Sequence, residues 1–139
     1  MKNLRSVLSV LAVLLMATAA QAQQAKVSAV VPFNFIAGDT VYPAGEYSIS
    51  SLSNSPVVRI SNTDRDTSAM MLSHACVNAA PSTESKLVFH RIGENYFLYQ
   101  VWVAGNQSGR EFNRTKAEVQ LAQNHEQSEQ VIVAANITK

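Results

Sequence analysis

From position 27 onward the chain alternates apolar and polar residues in short runs, separated by clusters of glycine, proline, asparagine and serine. Successive side chains of a strand point to opposite faces, so period-two alternation with β-branched and aromatic enrichment predicts half-buried strands. The pattern predicts seven of them. Four fill the first half, at residues 27–36, 46–52, 57–62 and 68–77. Gly38-Asp39 and Tyr42-Pro43-Ala44-Gly45 turn the chain between the first two, proline presetting φ and glycine accepting a positive one. Ser53-Asn54-Ser55-Pro56 and the polar tip Thr63-Asp64-Arg65-Asp66 supply the next two turns.

Beyond the loop at 79–85, strands at 86–92 and 96–103 flank Gly93-Glu94-Asn95, a three-residue connection that makes the clearest hairpin in the chain. Both faces of the sixth strand are largely apolar, with Tyr96, Leu98 and Trp102 on one and Phe97, Tyr99, Val101 and Val103 on the other. It is therefore expected to be central or covered on both sides. Thr115-x-x-Glu118 fits a capping box and predicts a short helix to Gln123, with Phe112, Lys116, Val119 and Ala122 on one face. The alternation of Ala117, Val119 and Leu121 competes with it as a strand. The last run, 131–137, is expected to close the sheet by covering an edge. The sum is a mainly β domain: an antiparallel β-sandwich or partly closed β-barrel with one short helix.

The first residues follow a different pattern. Lys2 and Arg5 precede an apolar run from Val7 to Ala20, which ends on Ala20-Gln21-Ala22. Positive charge, a short apolar run and a small-x-small site read as a cleavable secretory signal at 1–22, too short to span a bilayer. The expected mature chain is a single domain at 23–139, periplasmic or secreted. With Cys76 far from the cleavage point, and no later run of about 18 apolar residues, no stable membrane anchor is expected.

Charge narrows the partners. The full chain carries 11 basic and 10 acidic residues, and loss of Lys2 and Arg5 leaves 9 against 10, a net of about −1. Such balance leaves no electrostatic footprint for nucleic acid or an anionic membrane. One cysteine cannot form an internal disulfide, so Cys76 is either buried or open to pairing with another molecule.

The richest chemical cluster is His74-x-Cys76 with His90. Alternate positions share one strand face, and a neighbouring strand whose register set His90 opposite His74 would bring three zinc or copper ligands together. On that register Met70, Leu72, Val88 and Ile92 would share the face, which equally fits core histidines with one hydrogen-bond partner each. No Gly-x-Ser-x-Gly elbow, P-loop, dinucleotide fingerprint, EF-hand or paired-cysteine motif occurs. The scattered acids, such as Asp64, Asp66 and Glu84, sit in predicted loops and read as solvated surface. Phe33, Phe35, Tyr42 and Tyr47 early, and Tyr96, Tyr99 and Trp102 late, are expected to pack as core, although a small barrel can also hold one ligand.

Val31-Pro32-Phe33-Asn34-Phe35, followed by Pro43-Ala44-Gly45-Glu46-Tyr47, resembles an uncharacterised family of small exported β proteins of soil bacteria, in which a V-P-F-x-F strand precedes a P-A-G-x-Y turn. The likeness extends through Tyr96 to Val103 and Ser108-Gly109-Arg110-Glu111. It implies a compact β domain and supplies no catalytic residues. The sequence thus points to a non-enzymatic binding or interaction module for a small ligand or protein partner, with metal-dependent activity at His74, Cys76 and His90 as the alternative.

Overall fold

The computed structural model describes residues 26–51, 55–124 and 127–138; the predicted signal at 1–22 and Leu52 lie outside the described residues. The strands are β1 (Lys26–Val31), β2 (Phe35–Ala37), β3 (Thr40–Tyr42), β4 (Gly45–Ser51), β5 (Val57–Asn62), β6 (Thr67–Val77), β7 (Ser85–Ile92), β8 (Asn95–Trp102), β9 (Ser108–Phe112) and β10 (Glu129–Thr138), and the helix is α1 (Lys116–Asn124). Eight strands close an antiparallel barrel in the order β1-β4-β5-β6-β9-β8-β7-β10, with β10 returning to β1. The β2–β3 hairpin is an addition, with Ile36 pairing in parallel to Phe97 of β8.

The predicted strand at 27–36 is broken by Pro32, which has no N–H for a ladder, and the chain re-enters as β2. Two strands were not anticipated, β3 and β9. The Gly93-Glu94 turn is one residue shorter than expected, with Gly93 at φ 61° and Asn95 already in β8. At the β5–β6 turn the Asn62 side-chain oxygen accepts the backbone N–H groups of Asp64 and Arg65 at 2.9 and 3.0 Å, an Asx turn. The closing strand does more than cover an edge: β10 pairs with β1 over its last residues and with β7 over its first.

The barrel interior is filled by the chain's own side chains. Phe35, Tyr42, Tyr47, Ile49, Val58, Ile60, Leu87, Phe89, Leu98 and Val101 form one buried cluster, completed by Phe112 of β9. Eight strands leave an interior just wide enough for such filling. The aromatic expectation holds in part: Phe35 meets Tyr42, Tyr47 and Phe89 at 5.0–5.4 Å and Phe33 stacks on Tyr96 at 3.9 Å, whereas Tyr99 packs on His90 and Trp102 over Gly109, on the outer wall.

Closure rests on a short seam. β8 and β9 pair only at Gln100↔Glu111 and Val101↔Arg110. Side chains on the outer wall reinforce it: Gln100 donates to Glu111 at 2.8 Å, and the Trp102 indole N–H donates to Gln100 at 3.1 Å. The Trp102 ring lies over Gly109, so closely that a Cβ there would sit 2.7 Å from a ring carbon and 2.8 Å from the Val101 carbonyl oxygen. Glycine is the residue that admits this approach.

Candidate functional site

The chemistry-bearing residues lie on the outer wall across β6, β9, β8 and β7. His74 and Cys76 share the outward face of β6, opposite Glu111 and Gly109 of β9. His90 is on β7, opposite Phe97 of β8 and Gln130 of β10. Because β9 and β8 intervene, His90 does not face His74 across a strand pair as the sequence reading required. Three inter-strand steps amount to about 14 Å. Zinc holds its nitrogen and sulfur ligands at about 2.0–2.3 Å, so these three residues do not converge on one ion. Among the described residues no group of three or more His, Cys, Asp or Glu side chains is placed to hold a metal.

What His90 meets instead is Glu118. Its Nδ1 lies 2.8 Å from Glu118 Oε1, with both side chains about 95 % buried. Tyr99 stacks on the imidazole at 3.9 Å between centroids and 27° between planes. The Arg114 guanidinium lies 3.8 Å from the same carboxylate oxygen, from an exposed position four residues earlier. The pair fastens α1 across β7. Thr115 caps the helix as the sequence predicts, its hydroxyl accepting the Glu118 N–H at 3.1 Å. The second half of the predicted box is replaced: the Glu118 carboxylate turns to His90 rather than back to the cap. Glu118 is the one residue that α1 buries. Val119, expected on the covered face, is 42 % exposed, and Phe112 belongs to β9 and the barrel core.

Glu111 is the hub of the remaining polar groups. It accepts from Gln100, and its carboxylate acts on the Tyr99 phenol and the Cys76 thiol. Burial first, then the bond to Glu111 and its charge, push the Tyr99 phenol above its ordinary value. Burial first, then the Glu111 charge, likewise raise the Cys76 thiol. A thiol held protonated is a poor nucleophile and a poor ligand. Cys76 is neither fully buried nor fully open, and is a free thiol. His74 Nε2 lies 3.0 Å from the Asn113 side-chain oxygen in an exposed position.

The arrangement is thus a set of mutually satisfied pairs. A catalytic imidazole needs one nitrogen facing a substrate, and His90, with a side chain only 6 % exposed, is enclosed between Glu118 and Tyr99. His90 and Tyr99 stood out in the sequence, but Glu118 as a tertiary partner did not, because its only local signal was the capping spacing. On β6 the outer wall also carries Met70 and Leu72, expected in the core beside His74 but 61 % and 68 % exposed. The inner face of β6 carries Ala69 and Met71, packed against the core. No helix among the described residues is long and apolar enough to cross a membrane. Comparisons with protein-family models, curated proteins and solved structures find no match.

Proposed function

We propose that residues 23–139 form an exported, non-enzymatic binding or interaction module that engages its partner through the outer wall of the barrel. The observation that carries this reading is the filled interior: Tyr47 and Phe89 have no solvent exposure and Ile60 has none, so the barrel offers its own side chains where a ligand-carrying barrel would offer a lumen. The groups with reactive chemistry support it from the other side. His90 and Glu118 are spent on each other, and Cys76 and Tyr99 are held in their protonated forms. Exposed apolar side chains, by contrast, are concentrated on strands, where Val30, Met70, Leu72 and Ile132 are all more than half exposed.

Two measurements on the mature protein test the reading. Cross-linking mass spectrometry in a periplasmic extract is expected to identify a partner joined through the outer-wall lysines Lys26 or Lys86. A panel of hydrolase substrates is expected to show no turnover. Turnover that disappears in His74→Ala or His90→Gln would overturn the proposal.

A further inference from the structure

β7 is paired on both edges, by β8 and β10, so its outer face is covered only by something laid across it. Val88, His90 and Ile92 alternate on that face, and Phe97 stands opposite His90 on β8. The three apolar residues lie outside the interior cluster, yet none is more than 4 % exposed. Outward apolar residues on other strands, Val30, Met70, Leu72 and Ile132, are more than half exposed. The difference is α1. The chain leaves β9 at Phe112 and returns as β10 at Glu129, and in the barrel order β8 and β7 stand between those two strands. The crossover therefore runs over their outer faces, where Glu118 docks on His90.

This cover is lightly fastened. Of the nine residues of α1 only Glu118 is buried, Leu121 and Ala122 are half-buried and the other six are exposed. Among the described residues the one polar link from the helix to a strand is the His90–Glu118 pair. Isolated helices shorter than about 12–15 residues are marginal in water, so α1 depends on its dock to stay folded. The strands beneath are held by ladders on both sides. A segment with few buried apolar contacts opens at lower free energy than the laddered strands around it.

We propose that α1 is a latched strap: when Glu118 leaves His90 the helix lifts and melts as a unit, baring Val88, Ile92 and Phe97 while the barrel stays closed. Ile132, already exposed, stands opposite Val88 on β10, so the open form carries one apolar stripe across β10, β7 and β8. No ladder bond is broken in the change. His90, enclosed between Glu118 and Tyr99 in the closed form, is uncovered in the open one. The motion lies within the chain, and so goes beyond the interaction reading without resting on it.

The test is labelling of His90 by diethyl pyrocarbonate in the mature protein, read by mass spectrometry, beside amide hydrogen exchange across β4 and β5, which reports opening of the barrel. Thr115→Ala removes the helix cap without touching the imidazole, and is expected to raise His90 labelling about five-fold. Ile60→Val loosens the barrel interior, which the open and closed forms share. It is expected to speed exchange in β4 and β5 by about two- to ten-fold and to leave His90 labelling unchanged. Glu118→Gln and Ile49→Val repeat the two arms should either variant misfold, which circular dichroism reports. His90 labelling that rises with barrel exchange in Ile60→Val would show that the imidazole is uncovered only by global unfolding. That result, or labelling indifferent to Thr115→Ala, would overturn the strap.

Discussion

At the scale of single residues, Gly109 and Cys76 show how the outer wall sets chemistry and packing. Gly109→Ala places a methyl group 2.7 Å from the Trp102 ring and 2.8 Å from a backbone oxygen, and the backbone cannot swing aside as a flexible side chain would. Overpacking of this kind costs about 1–3 kcal/mol, so an unfolding free energy lower by that amount is expected from denaturant titration. Adding Trp102→Leu should recover only part of it, because the Val101 oxygen remains. A Gly109→Ala protein as stable as wild type would show that the seam yields. For Cys76 the expectation concerns rate. The Glu111 charge raises the thiol after burial does, so Glu111→Gln removes one of the two main causes and lowers the pKa toward its ordinary value. Alkylation at a fixed pH below 9.0 should therefore run faster in Glu111→Gln than in wild type, since the thiolate is the reacting form. An unchanged rate would assign the shift to burial alone.

At the scale of elements, α1 is held in an inverted manner, with a carboxylate buried and a valine exposed. Removing one partner of a buried hydrogen bond leaves the other unsatisfied, which costs about 1–3 kcal/mol. Glu118→Ala is expected to lose that much, and His90→Phe with Glu118→Leu to lose much less than the sum of the single changes, as a double-mutant cycle would read. Thr115→Ala should cost about 1 kcal/mol through the lost cap. These elements also mark how far the sequence was legible. Thr115 revealed the helix because capping is local, three residues from donor to acceptor. The bond from Glu118 to His90 spans 28 residues, and nothing in local spacing announces it. β5, β6, β7 and β8 were readable from alternation and glycine turns, whereas β9 was hidden by Gly109, which reads as loop but is needed under Trp102. The neighbour relation that separates His74 from His90 was equally beyond reach, because alternation gives faces and leaves strand order open.

At the scale of the whole molecule, three acidic groups with raised pKa values make the barrel sensitive to base. Tyr42 joins Cys76 and Tyr99, raised by burial first and by Tyr47 next. In the unfolded chain the thiol titrates near 9.0 and the phenols near 10.0. The folded chain keeps these protons to higher pH, so above those values it binds more protons than the unfolded chain does. Stability from these groups is fully present below 9.0 and declines as pH rises through the raised values. Denaturant midpoints measured from pH 8 to pH 11 are therefore expected to fall progressively on the alkaline side. Tyr42→Phe should flatten the later part of that fall and Cys76→Ser the earlier part, each by removing one proton from the linkage. Because Tyr99 and Cys76 both answer to Glu111 beside the two-pair seam, loss of their protons sets new negative charge next to that carboxylate at the point where the barrel closes. Hydrogen exchange at high pH is accordingly expected to rise first at residues 100–101 and 110–111, ahead of β4 and β5. Exchange that rises uniformly, or first in β4, would place the alkaline weak point elsewhere than the seam.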